Sequence, residues 1–274
     1  MPVETRKPMI CVEGSAVLKE KVALVTGGRR GIGKSIAERF AQEGARIVLV
    51  DIDKEVNNVA KVMESAEAEV LPLVGDISVS KQVKEIIGKT IEHFGSIDIL
   101  VNNAAVLSQA SLVETTEQEW DKIMQVNLKG TFLCTRAVAP YMMQREKGKI
   151  INISSVSAIL PGCGFAAYCA SKAAVVQFTR VVALELAPYR ICVNAIAPGT
   201  TETEMIVGVI EPQVLQDWRK KNPMGKFTRP DDHANLAVFL ASPAADSITG
   251  QFISVDCGQL LNFAQGSSLN LRKE

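Results

Sequence analysis

The stretch VALVTGGRRGIGKSIAERF, residues 22–40, constrains the fold more than any other part of the chain. An apolar, strand-forming run leads straight into a glycine-rich turn, and the turn leads into an amphipathic helical pattern. In that pattern Ile36, Ala37, Phe40 and Ala41 share one face, and Gly44 stands where a helix closes. Gly27, Gly31 and Gly33 follow the spacing TGxxxGxG. Glycine there lets the backbone turn tightly and lets a pyrophosphate approach the helix N-terminus, where free N–H groups point outward. A strand before and a helix after are the context such a glycine pattern needs.

The same alternation continues to the end of the chain. Candidate strands are Val22–Thr26, Arg46–Asp51, Val70–Asp76, Ile97–Asn102, Lys149–Ser154, Cys192–Ile196 and Phe252–Asp256. Several are apolar at consecutive positions, as strands buried on both faces are. The expected fold is α/β: a single doubly wound Rossmann-like domain, with about seven parallel strands and helices on both faces. Residues 1–18 read as an N-terminal extension, 19–258 as the domain and 259–274 as a C-terminal tail.

Composition narrows the function. The chain has 274 residues, 47% hydrophobic and 22% charged, with a formal net charge of zero. It has the apolar content for a sizeable core and no basic field to hold a nucleic acid or an anionic membrane. No apolar run approaches the ~18 residues of a membrane span, and the first residues lack a secretory signal's apolar centre. A cytoplasmic enzyme is expected. Cys11, Cys134, Cys163, Cys169, Cys192 and Cys257 form no CxxC pair and flank neither His93 nor His233. No metal site is expected, and the thiols read as reduced.

Asp51 ends the second strand, where a carboxylate accepts hydrogen bonds from the adenosine ribose hydroxyls and repels a 2′-phosphate. Arg29 and Arg30 pull the other way, since an arginine beside the turn can pair with that phosphate. The Asp51 charge is expected within hydrogen-bond range of that site and is weighed more heavily, so NAD is expected over NADP.

With these residues in place the chain resembles the short-chain dehydrogenase/reductases from about Leu18 to Gly258. The motifs are TGGRRGIG at 26–33, GDI at 75–77, NNAA at 102–105, VNLKG at 126–130, NISS at 152–155, YCASK at 168–172 and APG followed by Thr203. The resemblance implies a catalytic tetrad of Asn127, Ser155, Tyr168 and Lys172. It also implies a cofactor wall made by Gly27, Arg29, Arg30, Gly31, Ile32 and Gly33, with Asp51 and Ile52 at the ribose. Asp76 and Ile77 would meet the adenine, with Asn103, Ala104 and Ala105 beside them. Tyr168, Lys172, Pro198, Gly199, Thr201 and Thr203 would border the nicotinamide end. A homotetramer is implied, with contacts on the helices carrying Asn127–Met143 and Tyr168–Pro188. The chain departs from the family pattern at Ala105, at Cys257, where Asp-Gly-Gly is usual, and at Thr201, where an apolar residue is common.

The chemistry follows from these types. Oxidising an alcohol takes hydride from carbon and a proton from oxygen, and a free phenol with pKa ~10 is a poor base at neutral pH. Lys172 lies on the same helical face as Tyr168 and is expected to favour the phenolate by about three units, together with the positive nicotinamide ring. Ser155 would donate a hydrogen bond to the substrate oxygen, and Asn127 would hold a water linking Lys172 to solvent. Specificity is expected in residues 105–113, 156–166 and a lid at about 200–225. There Met205, Ile206, Val209, Ile210, Leu215 and Trp218 face Ile159, Leu160 and Phe165, an apolar lining that suits a lipophilic or cyclic, steroid-like secondary alcohol. Arg219, Lys220 and Lys221 read as a solvated helix face. The alternatives are an NADPH-dependent 3-oxoacyl-(acyl-carrier-protein) reductase and, more remotely, a non-catalytic dinucleotide-binding scaffold.

Overall fold

Residues 16–207 and 210–261 are described by the structure, a computed structural model. Most of the expected extension and tail lies outside them. Strand β1 (Val22–Thr26) enters α1 (Gly31–Gln42) through the glycine turn, and β2 (Arg46–Asp51), α2 (Val56–Glu64) and β3 (Val70–Val74) follow. Then come α3 (Ser80–Phe94), β4 (Ile99–Asn102) and α4 (Glu117–Met124), which a π-helical turn at Gln125–Gly130 joins to α5 (Thr131–Gln144). The second half runs β5 (Gly148–Ile153), α6 (Ala166–Leu186), β6 (Ile191–Pro198), α7 (Glu204–Val207), α8 (Pro212–Lys221), α9 (Pro230–Ala241) and β7 (Phe252–Val255).

The seven strands form one parallel sheet in the order β3-β2-β1-β4-β5-β6-β7. Its pleat sorts side chains to two cores. From β1, Ala23 and Val25 join Ile36, Phe40, Ala60 and Leu240 on the face covered by α1, α2 and α9. Val22 and Leu24 point the other way, to Ile86, Val138 and Leu186 of α3, α5 and α6. Both faces are therefore dry, which is why the strands read as unbroken apolar runs. Burying each such Leu, Ile or Phe contributes about 1.5–3 kcal/mol.

The expected strands are found, with shifted ends. The third stops at Val74 because Asp76 begins a turn, its Oδ1 accepting from the Ser78 N–H at 2.8 Å. The fourth starts at Ile99; Ile97 is fully buried but precedes the ladder. The sixth extends from Ile191 to Pro198, beyond the expected Cys192–Ile196. Pro72 is tolerated within β3 because that strand lies at the sheet edge.

Strand order reverses between β1 and β4, so the crossovers leaving them go to opposite faces and a crevice opens at their carboxyl ends. The turn after β1 sits in that crevice. Gly27 has φ +66°, a conformation glycine adopts freely. Gly33 serves a different end: a Cβ on it would overlap the Gly27 carbonyl oxygen and the Asn103 amide. Replacing Gly33 by Ala should therefore lower stability by about 2 kcal/mol, read as a lower urea midpoint. An unchanged midpoint would show that α1 can retreat from the turn.

Candidate active site

A cavity of about 1360 Å³ fills the crevice. One end is built from the turn at the start of α1. Arg30, the residue before that helix, is extended and offers no side-chain cap, so the first N–H groups stay open to an anion. Asp51 reaches the same end from β2, its Oδ2 accepting from the Arg29 N–H at 3.1 Å and its Oδ1 from the Asp53 N–H at 3.0 Å. The Arg29 guanidinium pairs with Asp53 at 3.4 Å, and that of Arg30 pairs with Glu204 at 2.6 Å. Both arginines are thus already paired to carboxylates. Asn103 ties β4 to the turn, donating to the carbonyls of Thr26 at 2.9 Å and Gly27 at 3.0 Å.

At the other end, β5 and α6 bring the expected catalytic residues together. Lys172 is buried, and its ammonium donates to the Ile153 carbonyl at 2.8 Å. It stands 5.7 Å from the centre of the Tyr168 ring. Ser155 is close enough to the Tyr168 phenol to lower its pKa. Its oxygen accepts from the Ser157 N–H at 3.0 Å, and Ser155 itself lines the cavity. Ser154 is turned away, donating to the Lys172 carbonyl at 2.9 Å.

Asn127 is buried behind the wall, in the π-helical turn, a feature that recurs at functional sites. Its amide donates to the Val106 carbonyl at 3.0 Å and to Ser171 Oγ at 3.1 Å, and it accepts from the Val106 N–H at 2.8 Å. Ser171 in turn donates to the Tyr168 carbonyl at 2.7 Å. Both amide hydrogens are therefore committed to protein partners. Asn127 meets the Tyr168 turn through Ser171, a contact not expected from the sequence although Ser171 lies inside YCASK.

Without the cofactor's positive ring, the two groups are shifted by burial. Burial pushes the Tyr168 phenol up to about 12, against a smaller lowering by Ser155 and a further raising by Cys169. Burial also pushes the Lys172 ammonium down to about 8. Loss of water outweighs any attraction between the two, because each charged form gives up its solvation and Lys172 turns to the Ile153 carbonyl. The chain alone does not acidify the phenol; it keeps the phenol protonated.

The other expected residues are placed as follows. Gly27, Arg29, Arg30, Gly31, Ile32, Asp51, Ile52, Asp76, Ile77, Asn103, Ala104 and Ala105 line the cavity, as do Pro198, Gly199, Thr201 and Thr203. Gly33 and Asn127 do not. Met205, Ile206, Ile210 and Trp218 face Leu160 and Phe165 across it, whereas Ile159 is exposed and Leu215 lies off the wall. Val209 lies outside the described residues. Gln118, Asp121 and Lys122 also line the cavity, with no motif to mark them, and Gln259 accepts from the Thr200 N–H at 2.9 Å. Thr201 keeps its hydroxyl inside the protein, 2.9 Å from Gly199 O, from Thr228 Oγ1 and from His233 Nε2.

A family model described as enoyl-(acyl-carrier-protein) reductase matches residues 27–259. The chain belongs to the short-chain dehydrogenase/reductase family and is an NAD(P)-binding oxidoreductase of alcohols and ketones. It is 40% identical over 245 residues to 3-oxoacyl-(acyl-carrier-protein) reductase of Thermotoga maritima, covering 89% of this chain and 99% of that one. It is 39% identical to NAD-dependent glycerol dehydrogenase of Listeria innocua over 88% of this chain and 94% of the other. The crystal structure of 3-ketoacyl-(acyl-carrier-protein) reductase of Brucella melitensis complexed with NADH superposes with a TM-score of 0.84, at 36% identity, over 89% of this chain and 99% of that one. Among the described residues no helix is long and apolar enough to cross a membrane, and no cluster of His, Cys, Asp or Glu could hold a metal.

His233 gives the site a pH signature. It is fully buried in α9, and burial pushes its pKa down to about 4, with Asp232 raising it slightly. Above pH 6.5 the imidazole is neutral in both folded and unfolded chains. As pH falls from 6.5 towards 4 the unfolded chain takes a proton that the folded one refuses, so stability falls across that window by about 3 kcal/mol at most. His233→Gln should remove this part of the slope when urea midpoints are compared at about pH 7 and about pH 4.5. An equal slope in the variant would assign the acid sensitivity to other groups.

Proposed function

We propose that the protein is an NAD(H)-dependent dehydrogenase or reductase of a lipophilic or cyclic secondary alcohol and its ketone. The observation that carries this reading is the gathering of Ser155, Tyr168 and Lys172 on one wall of a cavity whose far end fits a dinucleotide. The fit rests on the open N-terminus of α1, on the glycine cradle and on Asp51. The preference for NAD rests on charge: a 2′-phosphate would face Asp51 and Asp53, and the two nearby arginines are already paired. The NADPH-linked 3-oxoacyl-(acyl-carrier-protein) reductase remains the second reading, favoured by the Thermotoga relative.

NAD(H), when bound, supplies or accepts the hydride. The residues of the chain handle the proton. In reduction Tyr168 donates its phenolic hydrogen to the ketone oxygen as charge develops there, and its raised pKa keeps that hydrogen available at neutral pH. Ser155 donates a hydrogen bond to the same oxygen, its own oxygen being held by Ser157. Lys172, with a pKa of about 8, stands ready to lose or regain a proton near neutral pH and so to restore the phenol. In oxidation the phenol must first lose its proton, and a positive charge entering the cavity lowers that cost. The walls of Met205, Ile206, Ile210, Leu160 and Phe165 offer an apolar substrate dry contact.

Phe132, Tyr141, Val181 and Leu184 stand out of α5 and α6 with 39% to 78% of their surface exposed. They support a homotetramer joined through those helices. Light scattering at micromolar protein should then return four times the chain mass; a monomer would exclude the assembly.

Initial rates on a ketone panel should be at least about tenfold higher with NADH than with NADPH, and a reversed preference would establish the second reading. Tyr168→Phe should lower turnover by about 10²–10⁴ while NADH still binds, measured by its fluorescence. Near-normal turnover would remove Tyr168 from the chemistry.

A further inference from the structure

The segment between Thr201 and Thr228 leaves the sheet, runs over the cavity as α7 and α8, and returns. Its two ends are clipped together. Thr201 and Thr228 form an isolated parallel bridge, with Glu202 N–H donating to the Thr228 carbonyl at 3.0 Å and Thr228 N–H to the Thr200 carbonyl at 3.1 Å. Their hydroxyls meet at 2.9 Å, and His233 Nε2 seals the pair from α9, 2.9 Å from Thr201 Oγ1. All three side chains are buried: Thr201 is 4% exposed, Thr228 2% and His233 0%.

Proton counting sets the direction of these bonds. Carbonyl oxygens only accept, so the Thr201 hydrogen goes to Gly199 O, and because Thr200 O already takes the Thr228 N–H, the Thr228 hydroxyl hydrogen goes to Thr201 Oγ1. The two hydroxyl hydrogens cannot also serve an imidazole lone pair. His233 must therefore donate from Nε2, which leaves Nδ1 bare, and Nδ1 is indeed a buried nitrogen without a partner. A bare lone pair there costs less than a stranded N–H. The family pattern commonly puts an apolar residue at Thr201, which would make no such directed bond.

The clasp also touches the cofactor end. A Cβ on Gly31 would lie 3.4 Å from Thr203 Cγ2, and Glu204 pairs with Arg30 of the same turn. Whatever fixes Thr201 thus fixes the root from which Met205 and Ile206 reach over the cavity.

We propose that Thr201, Thr228 and His233 are a polar clasp on the base of the lid, and that His233 is a positioning residue: its Nε2–H holds the lid root in place for substrate capture. This rests on the reading of residues 200–225 as a substrate lid.

Hydrogen exchange on the full chain without ligand tests the clasp. His233→Leu keeps apolar volume but no donor, whereas His233→Gln keeps an N–H at a comparable reach. In His233→Leu the amides of 202–228 should exchange at least about tenfold faster while β4 and β5 stay protected. In His233→Gln they should return to within about threefold of the wild type. Unchanged exchange in the Leu variant, or equally fast exchange in both variants, would overturn the clasp. Should the Leu variant fail to fold, Thr228→Val breaks the hydroxyl pair instead, and the amides of 202–228 should again exchange at least about tenfold faster than in the wild type, unchanged exchange overturning the clasp. Kinetics with 2-decalone and NADH test the consequence: His233→Leu should raise KM about tenfold with kcat within about threefold. A KM unchanged beside fast exchange would remove the role in capture. Failure of the wild type to reduce any ketone would sink the functional reading, and the exchange ratio would still decide the clasp.

Discussion

The close approach of α1 to the end of β1 is the contact on which the rest of the molecule turns. Gly33 lets the helix sit against the Gly27 carbonyl, and Asn103 stitches the same carbonyl to β4. That stitch spans the place where strand order reverses, so it fixes the width of the crevice. Both cores depend on it as well, since β1 sends Ala23 and Val25 to one face and Val22 and Leu24 to the other. A looser turn would move the dinucleotide end and the phenol end of the cavity apart.

Desolvation then decides the chemistry. The same burial that makes the sheet stable raises Tyr168 and lowers Lys172, so each carries less charge than it would in water. A protonated phenol beside an amine of moderate basicity suits the proposed transfer of a proton to a developing alkoxide. In the oxidative direction, a protein of this design must wait for outside charge. In the chain by itself, burial is the largest influence on both groups.

Much of this was legible in the amino acids. Apolar strands, the glycine spacing and the helical face of Ile36, Ala37 and Phe40 were enough to specify a doubly wound parallel sheet. The pair Tyr168 and Lys172 could be placed on one helix face by counting residues. What the chain order hides is direction and solvent. The sequence marks Thr201 as a departure from its family, but nothing in it shows the hydroxyl turning inward to a histidine 32 positions away. Charge arithmetic has Lys172 and a positive nicotinamide acidify the phenol, but it does not show that the ammonium donates to the Ile153 carbonyl or that burial shifts both groups the other way in the chain by itself. The sequence also does not show that the Asn127 amide hydrogens go to Val106 and Ser171. Side chains such as Lys122 and Gln118 reach the cavity through tertiary packing that no motif records.

The proline within β3 has a consequence for the molecule in a crowded solution. An open parallel sheet has two free margins, and a strand of one copy can continue the sheet of the next, growing a filament without closure. Pro72 leaves one margin short of a donor, and at the other margin β7 is only four residues long. Together they oppose end-to-end growth of the sheet.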